Sequence, residues 1–513
     1  MLNRRILLQS LMAAAMVAPM PSGRLLAQGA GKGSGKRLRI GLSTYPAHFR
    51  AWVNVGYAGH LVSALLNRSL LAYDTDGALV GELARSWERE SDLVWRFTLD
   101  DAKFNNGQPV TSADVKWTLE KILAEGSGAH MREQALQIDR IEIVDDRVFK
   151  VATREPSATI PALMAYPFLG ILAAGSTDEQ DQGIGAGPYV LTAAEKGVEI
   201  LLTASEHYFR EGLPTLSEIH ITPYADENLR VTALRAGDVD LIDYVPWNAM
   251  NDIAATPGLK LDTQAAGAFM YLSFNGSGAF ADPRLRQAVS FALRREEFVQ
   301  AVFFGHGAPL AGVPRPSVSP FFDKELANFW TYDPNKAKAL LKEAGHENGL
   351  KVSLLSTSQY TMHRDIAVLV QSQLSEIGIA VDLILPDWAT RVTMGMRGQG
   401  DFAVQGIGMD SLDPDATSSL VDPTRAAHYN YSRGFEVPGL SALLARGRSE
   451  LDEAKRVAIY AEADRLACEY ASFCGVSYRA TGFARSNKVG GLELLPDQLS
   501  VFSANLFDRL TLS

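Results

Sequence analysis

The sequence predicts a mixed α/β fold of two or three domains, on three observations. The chain has 513 residues, more than one ordinary hydrophobic core accommodates. Its C-terminal half contains a strand–helix–strand succession, Val352–Leu355, His363–Ile377 and Ala380–Leu385, which is a βαβ unit and implies a parallel sheet. The stretch from Asp74 to about Gln182 has a different texture, with alternating strands around one capped helix, and reads as a self-contained α+β piece.

Taken in order, Leu38–Leu42 is the first strand. Trp95, Phe97 and Leu99 alternate with Arg96 and Thr98, as a half-buried strand does. Thr111-Ser112-Ala113-Asp114 has capping-box spacing, and Val115, Leu119, Ile122 and Leu123 follow on one helical face. Ile141–Val144 and Val148–Val151 form a hairpin. Gly185–Leu191 restarts a sheet that Val198–Leu202 and Ile219–Ile221 extend. Asn228–Ala236 is a helix expected to bury Leu229, Thr232, Ala233 and Ala236 and to stop at Gly237. Tyr271–Asn275 is the strand expected to cross into a second large lobe. Asp282-Pro283 and Asp333-Pro334 start helices with an N-cap acid and proline at the first helical position. The last long helix runs from about Leu451 to Cys468, and Gly475–Phe483 returns as a strand.

Hydrophobic residues make up 47% and charged residues 21%, the proportions of a globular protein. The net charge is −10, and −13 without residues 1–30, which carry Arg4, Arg5 and Arg24 and no acid. Such a body repels phosphate backbones, so nucleic acid is not an expected partner. Residues 1–30 read as an export signal: Arg4-Arg5, the apolar run Ile6–Ala18, then prolines and small residues. Asn3–Leu8 resembles a twin-arginine signal, with a general secretory signal as the other reading. Absence of cysteine near the cleavage zone leaves no lipid anchor, so the product is expected free in the periplasm. Cys468 and Cys474 either pair or serve as small buried apolar side chains.

The candidate site lies between Asp387 and Asp415. Trp388 looks exposed; Gly398, Gly400 and Asp401–Gln405 make a turn feeding a strand, which exits into Gly406–Asp410. A strand ending in a Gly-flanked acidic loop is where an α/β domain presents polar groups to a ligand. Asp410 is read as the receiver of the ligand's positive end, and Asp413 and Asp415 as turn and cap residues.

Several blocks in order resemble a known family: Leu83–Trp87, Trp95–Leu99, Lys103–Val115, Gly187-Pro188-Tyr189, Asn275, Asp282–Ala288 and Asp333–Ala337. The chain is similar to the large periplasmic solute-binding proteins of ABC importers, the oligopeptide, dipeptide and nickel group. The resemblance implies two lobes joined by crossover strands, with an extra α+β subdomain inserted in the first: lobe I at 36–73, 186–266 and 484–513, the insertion at 74–185, and lobe II at 267–483. It implies a ligand enclosed between lobes and a handover to permease subunits with their ATPases, by a monomer without cofactor. Asp410 matches the aspartate that pairs with a peptide's α-amino group, Trp388 an aromatic lining the side-chain pockets, and His363 a histidine near the ligand's far end. Ile407 stands where peptide binders usually carry tryptophan, which enlarges the cleft and leaves room for another amine or a modified peptide. Arg391, Arg397 and Arg364 are the nearby cations that could meet a carboxylate. Nickel chelate, haem, opine or oligosaccharide are the other cargoes open to this fold, although the nine histidines show no ligand-like spacing. A peptide hydrolase would need His-Glu-x-x-His or Gly-x-Ser-x-Gly, and the sequence has neither.

Overall fold

The computed structural model describes residues 36–53, 56–177, 183–317, 319–409, 411–424, 429–494, 499 and 507–513. The export signal and Asp410 lie outside the described residues.

A mixed sheet of eleven strands runs through the molecule. One half contains Arg37–Leu42 paired in parallel with Glu218–Pro223 and Leu241–Asp243, followed by the antiparallel strands Glu199–Ala204 and Tyr189–Glu195. The other half contains Leu350–Leu355 paired in parallel with Ile379–Ile384 and with Phe402–Gly408, the geometry the βαβ succession implied. Two long antiparallel strands, Leu259–Phe274 and Cys474–Ser486, join the halves. The first begins a dozen residues before the expected Tyr271, because Leu259–Gln264 pair with Ser486–Thr481 before Ala268–Phe274 pair with Phe402–Gly408. A separate four-stranded antiparallel sheet lies within 84–153.

The buried apolar residues fall into three clusters. One gathers the N-terminal strands with the four-stranded sheet and its helix Ser112–Leu123; a second surrounds the sheet half around Phe402–Gly408; a third, smaller one lies behind Ile242 and Met250. The caps form as written: Thr111 and Asp114 make the capping box, and Asp282 and Asp333 accept backbone N–H bonds at the starts of their helices. Gly237 takes a left-handed conformation (φ 77°), which ends the helix before it.

Three readings need correction. The helix Glu227–Ala236 buries Arg230, Val231, Ala233 and Leu234, and Leu229 is exposed. The face is turned because the Arg230 guanidinium reaches inward to the carbonyls of Tyr224, Asp243 and Tyr244. The strand after Gly400 does not exit at Gly406 but continues to Gly408, held by Ala268–Met270. Trp388 is half-buried and opens an unanticipated helix, Trp388–Met396, capped by Asp387. Cys468 and Cys474 are both buried free thiols.

Against the first cluster His60 is half-buried, its ring 3.7 Å from that of Phe168. Burial, helped by His130, pushes its pKa down to about 3. The unfolded chain takes up this proton below pH 6.5 and the folded chain does not. His60 therefore costs stability as pH falls from 6.5 towards 3, ~2 kcal/mol at pH 5. His60→Leu should make the melting temperature less dependent on pH between 7 and 5; an unaltered slope would show that His60 does not titrate this way.

Candidate functional site

The site is built where the crossover strands pass between the halves. Arg479, in the middle of Cys474–Ser486, donates to the Tyr244 hydroxyl at 2.8 Å and approaches the Met362 sulfur at 3.6 Å. Its guanidinium also lies 5.8 Å from the Tyr244 ring centre and 5.9 Å from that of Trp247. Tyr244 has φ 44°, an unusual conformation for a bulky residue. Its surroundings hold it there: Arg230 donates to the carbonyls of Asp243 and Tyr244, and the Asp243 carboxylate accepts from the Ser43 N–H and hydroxyl. Asp243 is fully buried, and that burial raises its pKa to about 6.

The facing wall comes from two helix starts. Thr361–Ser375 presents Met362 and His363, and Trp388–Met396 presents Trp388 and, one turn on, Arg391. The Trp388 ring meets Tyr360, His363 and Tyr429 edge-on at 5.2, 5.6 and 6.1 Å. Arg391 lies between aromatic faces, 5.0 Å from Trp388 and 5.2 Å from Tyr429. Its Nη2 donates to the Val404 carbonyl at 2.6 Å and to Gln405 Oε1. Gln405 in turn donates to Ser273 and to the Tyr429 carbonyl at 2.8 and 2.7 Å, which fixes its orientation. His363 is 4% exposed; burial first, then Arg391 and Arg479, push its pKa down to about 3, so the ring is neutral. Gly406 lets the Met270 side chain pack directly against the strand. A Cβ there would meet the Met270 sulfur at 2.8 Å and lie 3.8 Å from Arg479 Nη2.

The structure thus brings Trp388, His363 and Arg391 together. Ile407 is half-buried, paired opposite Phe269 and packed on the second cluster. Arg397 is exposed at the far end of the Trp388 helix, and Arg364 is paired with Asp365 at 2.9 Å on the surface. Sequence reasoning missed Tyr244, Trp247, Tyr360, Tyr429 and Arg479. One signal was available for Arg479: a cation in mid-strand, between Tyr478 and Ala480.

The loop after Met409 is clamped. Arg456 holds the Asp413 carboxylate with two bonds of 2.8 and 2.9 Å, and Tyr460 and Arg448 hold Asp415 at 3.0 and 3.1 Å. Asp413 also caps the turn by accepting the Asp415 N–H, so the turn-and-cap reading of both acids describes them. Across from this loop, the Tyr73 and Ser411 hydroxyls are 2.9 Å apart, Leu412 packs on the first cluster, and the Ala158 N–H donates to the Arg448 carbonyl at 3.0 Å. A cavity of about 330 Å³ lined by Tyr73, Trp87, Pro161 and Leu412 lies beside these contacts.

The glutathione-binding protein GsiB of Pectobacterium atrosepticum is 25% identical over 451 residues, 85% of this chain and 87% of that one. The di/tripeptide-binding protein 2 of Pseudomonas aeruginosa is 28% identical over 493 residues, covering 89% and 91%. Among solved structures, the periplasmic binding protein AgaA of A. tumefaciens R10, in complex with agropinic acid, superposes with a TM-score of 0.86 at 34% identity, over 93% of this chain and 99% of that one. The fold is therefore the two-lobed periplasmic-binding-protein fold, the crossover strands joining the lobes. The model of the bacterial extracellular solute-binding proteins, family 5, matches residues 78–427, and the chain belongs to that family.

Proposed function

We propose that this protein is the periplasmic capture component of an ABC importer for a small peptide or peptide-like amino-acid conjugate, a binder and not a catalyst. The observation that carries the reading is the wall of aromatic rings and guanidinium groups contributed from both sides of the crossover strands. Rings supply sequence-tolerant stacking surface, and the guanidinium groups supply charge where water is excluded. The relatives named for glutathione and for di- and tripeptides support the peptide reading. Agropinic acid in AgaA, and Ile407 in place of a tryptophan, support a conjugate other than a plain peptide. Lobe I comprises 36–73, 186–266 and 484–513, with 74–185 inserted, and lobe II comprises 267–483.

Contacts made by both lobes exist only when the lobes are together, so a ligand that touches both shifts the population towards the closed form. The permease then reads that form. In this reading Asp410 meets the ligand's ammonium, and its clamped neighbours Asp413 and Asp415 keep the loop in place. Deleting one partner of an enclosed ion pair costs about 2–5 kcal/mol, mostly from the charge left alone.

Asp410→Asn should weaken amine-bearing ligands at least tenfold in titration calorimetry at a nearly unchanged melting temperature; equal affinity would remove Asp410 from the site. Tyr73→Phe deletes the hydroxyl that meets Ser411 across the lobes. It should weaken the same ligand about 2- to 10-fold, the worth of one hydrogen bond made only on closure. Unchanged affinity would show that this contact does not stabilise the closed form.

A further inference from the structure

The residues of the aromatic and guanidinium wall all lie between Tyr244 and Arg479, outside the insertion at 74–185. The insertion meets lobe II elsewhere, at the loop after Met409. The Ala158 N–H donates to the Arg448 carbonyl at 3.0 Å, and Arg448 in turn holds Asp415 at 3.1 Å. Beside this bond Leu412 lines a hollow of about 330 Å³ with Trp87, Pro161 and Ala162 of the insertion and Tyr73 of lobe I. The Tyr73 hydroxyl meets Ser411 at 2.9 Å. Ser411, Leu412 and the arginine that holds Asp415 therefore all engage lobe I within one short loop.

Each face of this contact is held by its own lobe. On the loop, Arg456 takes the Asp413 carboxylate with two bonds and Arg315 donates to the Pro414 carbonyl. On the insertion, Trp95 Nε1 donates to the Ser157 carbonyl at 2.9 Å, and Gln137 bonds the Thr159 hydroxyl just before the helix Ile160–Met164 that carries Pro161 and Ala162. Surfaces fixed in this way lose little entropy when they meet. The fit between them is nevertheless incomplete. Leu412 packs against the first cluster but is only half-buried, with the hollow beside it. Protein interiors leave few gaps wider than a water molecule, and every missing apolar contact weakens adhesion between two faces. A complete plug would hold the lobes together with no ligand between them.

We propose that the insertion at 74–185 is the catch of the closing movement: Leu412 is the bolt, the hollow of Trp87, Pro161 and Ala162 is its socket, and their incomplete fit keeps closure dependent on ligand. This rests on the capture reading and the lobe assignment above, and gives the insertion a task which that reading leaves open. Asp410 directly precedes Ser411 and Leu412 in the chain, so the residue read as the ligand's partner and the bolt travel together. A ligand that draws Asp410 inward seats Leu412 in the same movement. The size of residue 412, which needs no contact with ligand, then sets how readily the empty protein closes.

The test uses the full secreted chain, ligand-free, with dyes on Glu120→Cys and Lys338→Cys, exposed helical positions in the insertion and in lobe II. Native Cys468 and Cys474 are buried and stay unlabelled. Single-molecule energy transfer then counts open and closed molecules. Leu412→Phe, which extends into the hollow, should raise the closed-to-open ratio at least threefold, and Leu412→Ala should lower it at least threefold. Trp87→Ala removes one wall of the socket. In that background the effect of Leu412→Ala should shrink to under twofold, whereas damage confined to the loop would carry over in full. Two populations whose ratio ignores residue 412, or an equal effect of Leu412→Ala in both backgrounds, overturns the catch and leaves solute capture standing. A single population in every variant overturns two-lobe closure, and the catch with it.

Discussion

Everything in this molecule hangs on one antiparallel pair, Leu259–Phe274 against Cys474–Ser486. Each strand is long enough to belong to both halves of the sheet, so neither half can be displaced without bending this pair. The ladder is not uniform. Gln264 pairs with Thr481 and Ala268 with Arg479, so three residues of one strand stand opposite Ala480 alone. An irregularity of this kind locally breaks the hydrogen-bond ladder and is where a strand bends most easily. Ala480 is nevertheless held, its N–H donating to the His306 carbonyl and its carbonyl accepting from Trp247 Nε1. Arg479 is the next residue along. Arg479 and the break in the ladder are therefore neighbours in one strand.

The second constraint is a division of charge. Around the acidic loop the cations are matched: buried Arg456 with Asp413, buried Arg315 with Asp464, and half-exposed Arg448 with Asp415. Breaking such a buried pair by removing one partner is strongly destabilising, so these acids are committed to the loop and are not free to meet a ligand. The site arginines have no such commitment. The contrast separates scaffold from site more sharply than exposure does, since Arg315 and Arg391 are both buried.

Much of the scaffold was legible because its signals are local. Asp-Pro pairs, a capping box and glycines after periodic runs each act within a few residues, and the helices begin and end where these stand. The βαβ succession gave the parallel pairing for the same reason. The helix Glu227–Ala236 was turned wrongly because periodicity counted Leu229 as core and Arg230 as surface, whereas the carbonyls that draw Arg230 inward come from Tyr224, Asp243 and Tyr244, outside the helix. Of the candidate site, His363 and the pocket role of Trp388 came from the family resemblance, and their rings meet with Arg391 over Trp388. Tyr244 and Arg479 are 235 positions apart and meet because Leu241–Asp243 pairs with the Cys474–Ser486 strand.

Aromatic rings around a cation explain why an unmatched charge can be tolerated at all. A quadrupole face attracts a guanidinium without occupying its in-plane donors, unlike a carbonyl or a carboxylate. Trp388 and Tyr429 can therefore fix Arg391 in position and leave its Nε and Nη1 unpartnered, whereas Arg479 donates Nη1 to the Tyr244 hydroxyl and keeps Nε unpartnered beside the Tyr244 and Trp247 rings. A group already fixed loses little side-chain entropy on binding, which raises affinity without adding contacts. Replacing these rings by acids would pair the cations and stabilise the empty protein, but the site would then have no unmatched donors to offer. The strain at Tyr244 belongs to the same logic. A tyrosine held at positive φ by Arg230 presents its ring to the guanidinium of Arg479 on the neighbouring strand, a placement that an unstrained strand end does not supply.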